Sequence, residues 1–249
     1  MNEKYATLDE YVPGEQPTDM KYIKLNTNES PFKPSPLVYE ALNRCEIDKL
    51  PLYPDPECGS LTKKLADYYG FDEENIFIGN GSDEVLNFAF MAFCQNGVAF
   101  ADITYGFYKV FADLHGIETQ IIPLKDDFSI SADDYKSLGK AVFIANPNAP
   151  TGMALSLSDI EKIVASNTNN VVIIDEAYVD FGGESAVNLV KKYDNVLVVR
   201  TYSKSRSLAG GRLGFSIGGK EITADLKKLK YSTNPYNINR LTLLAGEAS

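Results

Sequence analysis

Lys204 stands in the stretch N-V-L-V-V-R-T-Y-S-K-S-R-S-L-A-G-G-R-L-G-F, Asn195 to Phe215. An apolar, β-branched run ends there in hydroxyls and one lysine, and Arg212 follows inside a Gly-rich turn. Open α/β sheets place ligands at the carboxyl ends of their strands, so a lysine delivered there is positioned for nucleophilic or proton-carrying work. Thr201, Ser203 and Arg212 are the residue types that hold a phosphate dianion. A solvated basic loop has the same composition, and the stretch alone leaves both readings open. The other strand ends decide between them.

A second such end is V-V-I-I-D-E-A-Y, where Asp175 follows a fully apolar run. Burying that carboxylate is costly unless it meets a cation. A protonated pyridine nitrogen is one, and a carboxylate that keeps it charged makes pyridoxal phosphate an electron sink. A third is I-F-I-G-N-G-S-D-E, a short strand entering a glycine turn that opens a helix. Backbone N–H groups beyond Gly81, at Ser82 and Asp83, are then free to receive an anion with help from the helix dipole. Asp83 and Glu84 also suit a helix N-terminus without any ligand. Tyr105, in I-T-Y-G-F-Y, is placed to cover a ring, and Tyr178 to hydrogen-bond its phenolate oxygen. Lys204 would join the cofactor aldehyde and, once displaced by substrate, shuttle a proton.

Positioning these residues takes alternating strands and helices. Strands are expected at 76–78, 98–101, 119–123, 141–145, 171–174, 196–199 and 214–218. Helices are expected from Ser35-Pro36, from a Ser60 cap to Tyr69, from the Gly81 turn, up to His115, over 158–165 and from Tyr236. Several strands are apolar on both faces, which predicts an α/β fold of three layers, α/β/α, around a mostly parallel central sheet. The polar turns, including N-P-N-A-P-T-G at 146–152, then converge on one sheet edge. The first thirty residues read as an arm laid over something else. L-P-L-Y-P-D-P-E-C carries three prolines that stiffen the backbone presenting Tyr53.

Composition narrows the function. The 249-residue chain has 44% hydrophobic and 23% charged residues and a net charge of −10, which leaves no basic excess for nucleic acid. His115 is the one histidine and precedes Gly116 at an expected helix end, so neither a metal-dependent hydrolase nor a Ser-His-Asp enzyme is expected, and no metal site is expected. Three cysteines without C-x-x-C spacing fit a reducing compartment. No apolar run has membrane-spanning length and no signal peptide opens the chain, so no membrane partner and a cytoplasmic location are expected.

Taken together, L-D-E-Y-V-P-G (8–14), L-N-T-N-E (25–29), Y-P-D-P (53–56), G-N-G-S-D-E, I-T-Y-G-F-Y, N-P-N-A-P-T-G, D-E-A-Y and T-Y-S-K-S-R-S-L-A-G-G-R-L-G resemble the fold-type I pyridoxal-phosphate aminotransferases, and among them the histidinol-phosphate aminotransferases. The resemblance runs through nearly the whole chain in the family's order. It implies amino transfer between glutamate/2-oxoglutarate and histidinol phosphate/imidazole-acetol phosphate, in histidine biosynthesis, with a small-molecule amino donor and keto acid as partners. It implies that Lys204 carries pyridoxal 5'-phosphate, Asp175 partners the ring nitrogen, Tyr178 the ring oxygen and Tyr105 stacks on the ring. Thr201, Ser203 and Arg212 would hold the phosphate, and Gly81, Ser82 and Asp83 are expected among the cofactor-binding residues. Tyr53 would be lent to the neighbouring subunit of a homodimer, and Tyr11, Asn28 and Glu29 would face the substrate from the arm.

Two departures accompany the resemblance. The family often has asparagine where this chain has Ala149, so Asn148, or else Asn146, would supply the ring-oxygen hydrogen bond. Family members also continue into a small C-terminal domain that carries a carboxylate-gripping arginine. The expected organisation is an arm over 1–34 and a cofactor-binding large domain over 35–249, with that small domain absent and activity impaired. Alternative readings are an aromatic aminotransferase, a phospho-amino-acid decarboxylase of the same superfamily, and a catalytically silent dimeric domain that binds the cofactor.

Overall fold

The computed structural model describes residues 8, 12, 14–17, 19, 20, 22–43 and 47–249. Its core is a sheet of seven strands: β1 (Ile76–Gly79), β2 (Val98–Ala101), β3 (Thr119–Ile122), β4 (Ala141–Ala145), β5 (Val172–Asp175), β6 (Val196–Thr201) and β7 (Gly214–Gly218). Their order is β1-β7-β6-β5-β4-β2-β3. β3, β2, β4, β5 and β6 pair in parallel, whereas β7 runs antiparallel to both β6 and β1. β1 therefore points the same way as β6, and its carboxyl end opens on the same edge.

Every residue of β1, β2, β4, β5, β6 and β7 is buried, which is why these strands read as unbroken apolar runs rather than alternating ones. Helices α1 (Pro36–Asn43), α2 (Gly59–Tyr69), α3 (Gly81–Phe93), α4 (Phe107–His115), α5 (Leu157–Ser166), α6 (Lys220–Thr233) and α7 (Arg240–Ala248) connect and cover them. Two apolar clusters fill the layers on either side of the sheet. Ile144, Ile174, Val198 and Ile217 face one, and Phe143, Ile173, Leu197 and Val199 face the other. The expected three-layer α/β arrangement with a mostly parallel sheet is what the chain forms.

Some boundaries differ from expectation. Ser60 lies inside the first turn of α2 and does not cap it; Cys58 is the N-cap residue, with φ 52°. The Asp55 carboxylate takes the capping role, accepting from the Gly59 N–H (2.8 Å) and the Glu57 N–H (3.0 Å). The last helix starts at Arg240, not Tyr236, because Asn239 caps it by accepting from the Thr242 N–H (2.9 Å). His115 does end its helix, with Gly116 left-handed at φ 67°. Among the described residues, no helix is long and apolar enough to cross a membrane.

Candidate active site

The strand ends on the α3 edge enclose a cavity of about 640 Å³, lined by residues of five turns and of the arm. Asp175 forms part of its floor. It is 4% exposed, and its Oδ2 accepts from the Tyr108 hydroxyl (2.8 Å) while Oδ1 accepts from the Ala177 N–H (3.2 Å). Burial pushes its carboxyl up to about 6, and these two hydrogen bonds only partly oppose the shift. The Tyr108 hydroxyl is held well above the usual phenol range by its own burial and by Asp175. Sequence reasoning missed Tyr108. The signal was its position in I-T-Y-G-F-Y, one helical turn past Tyr105, where a buried phenol needs a polar partner.

Lys204 sits in the turn that follows β6 and borders the cavity. Its Nζ donates to the carbonyls of Thr27 (3.0 Å) and Asn28 (3.3 Å) and lies 5.5 Å from the Tyr178 ring centroid. Asn28 Nδ2 donates to the Tyr178 hydroxyl (2.9 Å), so the Thr27–Asn28 turn contacts both residues. Thr27 and Asn28 hold left-handed φ values of 60° and 51°, an uncommon conformation for a β-branched threonine, and this turns their carbonyls toward the lysine. Glu29 lines the cavity and pairs with Lys24 (2.7 Å). Tyr11 lies outside the described residues.

The end of the cavity toward α3 could hold an anion as a cradle. The first N–H groups of this 13-residue helix, at Ser82 and Asp83, have no intrahelical acceptor and border the same space as Thr201, Ser203 and Arg212. Glycine is required twice here. A Cβ on Gly81, whose φ is +79°, would lie 2.6 Å from Arg212 Nη2, and one on Gly214 would lie 2.3 Å from the Ser82 nitrogen. Arg212, itself left-handed at φ 49°, donates to Asp83 Oδ2 (3.1 Å), and the Tyr105 hydroxyl donates to Asp83 Oδ1 (2.7 Å). One carboxylate thus holds both the cradle's cation and the aromatic wall. Glu84 does serve the helix terminus, its Oε2 accepting from the Asn80 N–H (2.7 Å).

One expected site residue, Asn148, does not line the cavity. The Asn148 amide is spent inside its turn: Oδ1 accepts from Thr104 Oγ1 (2.8 Å), and Nδ2 donates to the Ile103 carbonyl (2.9 Å) and Thr151 Oγ1 (3.1 Å). Pro147 and Ala149, not Asn148, line the cavity. The alternative, Asn146, accepts from the Leu155 N–H through Oδ1 (2.8 Å) and has a buried Nδ2 without a hydrogen-bond partner. Tyr53, expected to serve a neighbouring subunit, lies away from its own subunit's cavity. It is 76% exposed and stacks on Tyr236 with centroids 4.4 Å apart.

The constellation can hold a group bearing a phosphate at one end and a cationic ring nitrogen at the other, with an amine beside it. Comparison with known proteins gives the same direction. The family model for aminotransferase class I and II matches residues 20–241. A histidinol-phosphate aminotransferase of Brachyspira hyodysenteriae is 55% identical, over 99% of this chain and 70% of its own length. One from Clostridium acetobutylicum is 54% identical, over 100% of this chain and 71% of its own. Among solved structures, a histidinol-phosphate aminotransferase from Clostridium acetobutylicum superposes with a TM-score of 0.80 at 26% identity, covering 89% of this chain and 67% of that one.

Proposed function

The chain belongs to the histidinol-phosphate aminotransferases of the class I and II aminotransferase family, and from this we propose that its cavity binds pyridoxal 5'-phosphate and exchanges an amino group between histidinol phosphate and a keto acid. One observation carries the reading. A buried carboxylate, an amine and a set of anion donors line one cavity.

The residues fit that cofactor. The glycines at 81 and 214 let the backbone reach a phosphate, and Ser82, Asp83, Thr201, Ser203 and Arg212 supply donors in a position where no side chain could be added. When bound, the cofactor supplies an electron sink that stabilises charge next to the substrate amine. The chain's own residues do the rest. Asp175, low in dielectric and short of a cation, is the partner for a protonated ring nitrogen. Tyr105 walls one face of the ring, and the Tyr178 hydroxyl donates toward its oxygen. Lys204 Nζ would be the attachment point and, when displaced, the base that takes the proton from the substrate carbon bearing the amine. Asn28 and Glu29 close the substrate side and exclude water. Tyr53, exposed on its proline-stiffened loop, serves the cradle of a second subunit in a homodimer, while 1–34 act as arm and 35–249 as cofactor domain.

Pyridoxal phosphate added to the protein is expected to become trapped on Lys204 by borohydride, as read by peptide mass, and Lys204→Ala is expected to lose the adduct. Absence of the adduct in the unmutated chain sinks the cofactor assignment. For the substrate, amino transfer from histidinol phosphate to 2-oxoglutarate is compared with that from phenylalanine, and with carbon dioxide release from threonine phosphate. Preference for either of the latter two replaces histidinol phosphate with an aromatic or decarboxylase reading.

A further inference from the structure

A buried ionic network lies behind the cavity wall. Arg200, one residue before Thr201 on β6, is 7% exposed and donates from Nη1 to Glu176 Oε2 (3.0 Å) and from Nη2 to Asp180 Oδ1 (2.5 Å). Glu176 also accepts from the Ser185 hydroxyl (2.8 Å) and the Ala186 N–H (2.6 Å). The other Asp180 oxygen accepts from the Ser205 hydroxyl (2.5 Å). One guanidinium therefore joins two segments. Glu176 adjoins Asp175 and stands two residues before Tyr178, while Ser205 adjoins Lys204.

The location of this network follows from where the sheet stops. The β5–β6 register ends at Asp175↔Val199, with one further backbone bond from the Glu176 N–H to the Val199 carbonyl (2.8 Å). Past that point the ladder no longer ties the two strand ends together, and these are the ends that carry Asp175, Tyr178 and Lys204. A planar fork with two acceptors on the neighbouring turn is suited to extend the pairing. Stability alone is a poor account of it, because packed apolar residues commonly replace a buried ion pair without loss.

We propose that Arg200 is a positioning residue: held between Glu176 and Asp180, it carries the β5–β6 pairing past the end of the ladder and keeps Asp175 and Tyr178 in register with Lys204. The proposal rests on the reading of these three as the cofactor's partners, but half of its test does not. Asp180→Asn and Ser205→Ala alter the exposed end of the network and leave the buried Arg200–Glu176 pair in place, so the fold is retained; Ser205→Thr keeps the hydroxyl. In cofactor-free protein, the rate at which acetic anhydride acylates Lys204 is measured against Lys63 by peptide mass. In parallel, the Kd for pyridoxal phosphate and the thermal midpoint are determined. Asp180→Asn and Ser205→Ala are expected to acylate Lys204 about tenfold faster and to bind the cofactor about tenfold more weakly, the size of one lost hydrogen bond to a charged group. Ser205→Thr stays at the unmutated values, and all midpoints stay close together. Unchanged acylation in Asp180→Asn, or an equal change in Ser205→Thr, overturns the proposal. Failure of the unmutated chain to bind the cofactor refutes the function reading instead, and the acylation comparison still decides this one.

Discussion

Asp175 carries an energetic cost because its carboxylate is buried at the cavity. Its carboxyl is raised from an ordinary 3.8 to about 6 by burial, so between those values the folded chain binds a proton that the unfolded chain has lost. Stability from this group is full below about pH 4 and falls as pH rises through 6, a loss of about 3 kcal/mol at neutral pH. Asp175→Asn keeps an acceptor for Tyr108 and removes the buried charge. In cofactor-free protein the variant is expected to melt higher than the unmutated chain at pH 7.5, with the gap closing near pH 4. Equal melting at both pH values would show that the carboxylate carries no such penalty. The same substitution should weaken cofactor binding, since an amide cannot hold a ring nitrogen in its charged form. That Lys204, Arg212 and Asp175 gather at one cavity was legible, because each polar group interrupts or follows an apolar run. Asn148 was not correctly legible, because an amide in a proline-rich turn reads the same whether it faces a ligand or its own backbone, and only the Thr104, Ile103 and Thr151 contacts distinguish the two.

At the scale of elements, the cradle depends on how closely β7 passes the start of α3. The Gly214 backbone leaves no room for a Cβ against the Ser82 nitrogen and the Gly81 carbonyl carbon, 2.3 and 2.5 Å away, and all of those atoms are main chain. Gly214→Ala is therefore expected to destabilise the fold by about 3 kcal/mol, at the upper end for overpacking. It should also displace the Ser82 and Asp83 N–H groups from the anion. Chemical denaturation measures the first effect and phosphate affinity the second; an alanine variant with native stability would contradict the packing described here. The Tyr53 loop shows the same logic by other means. Lys230, 4% exposed within α6, donates from Nζ to the Pro56 carbonyl (2.6 Å), the next residue's hydroxyl, of Tyr231, donates to Glu57, and Tyr236 stacks on Tyr53. The prolines made the loop's stiffness visible in the sequence. Its anchoring was hidden, because Lys227, Lys228 and Lys230 look alike until the helix is seated and only Lys230 is buried.

For the whole molecule, the shared-site reading makes a stoichiometric prediction. If Tyr53 completes the cradle of a neighbour, Lys204→Ala and Tyr53→Ala homodimers each bind the cofactor poorly, but subunits mixed after mild denaturation recover one intact site per mixed dimer. Random exchange then restores about a quarter of the sites, because a two-fold interface places both lesions in the same site of each mixed dimer. Cofactor titration of the mixture reads that fraction. No recovery, with exchange confirmed by mass, would place Tyr53 in its own subunit's structure alone. The chain spans about 70% of the length of its Brachyspira hyodysenteriae relative, and within that span the arm already reaches the cavity through Thr27, Asn28 and Glu29.

By itself, the sequence determined the layers and the edge on which chemistry gathers. Unbroken apolar strands bury both faces, and glycine and polar residues at their ends have few other reasons to recur in that order. Tertiary structure alone decided which polar groups meet across elements: Tyr108 under Asp175, Asp83 between Tyr105 and Arg212, and Arg200 between Glu176 and Asp180. The physical reason is range. Periodicity and turn chemistry are local along the chain, whereas a hydrogen bond between residues 67 or 129 positions apart depends on how the sheet orders and twists its strands.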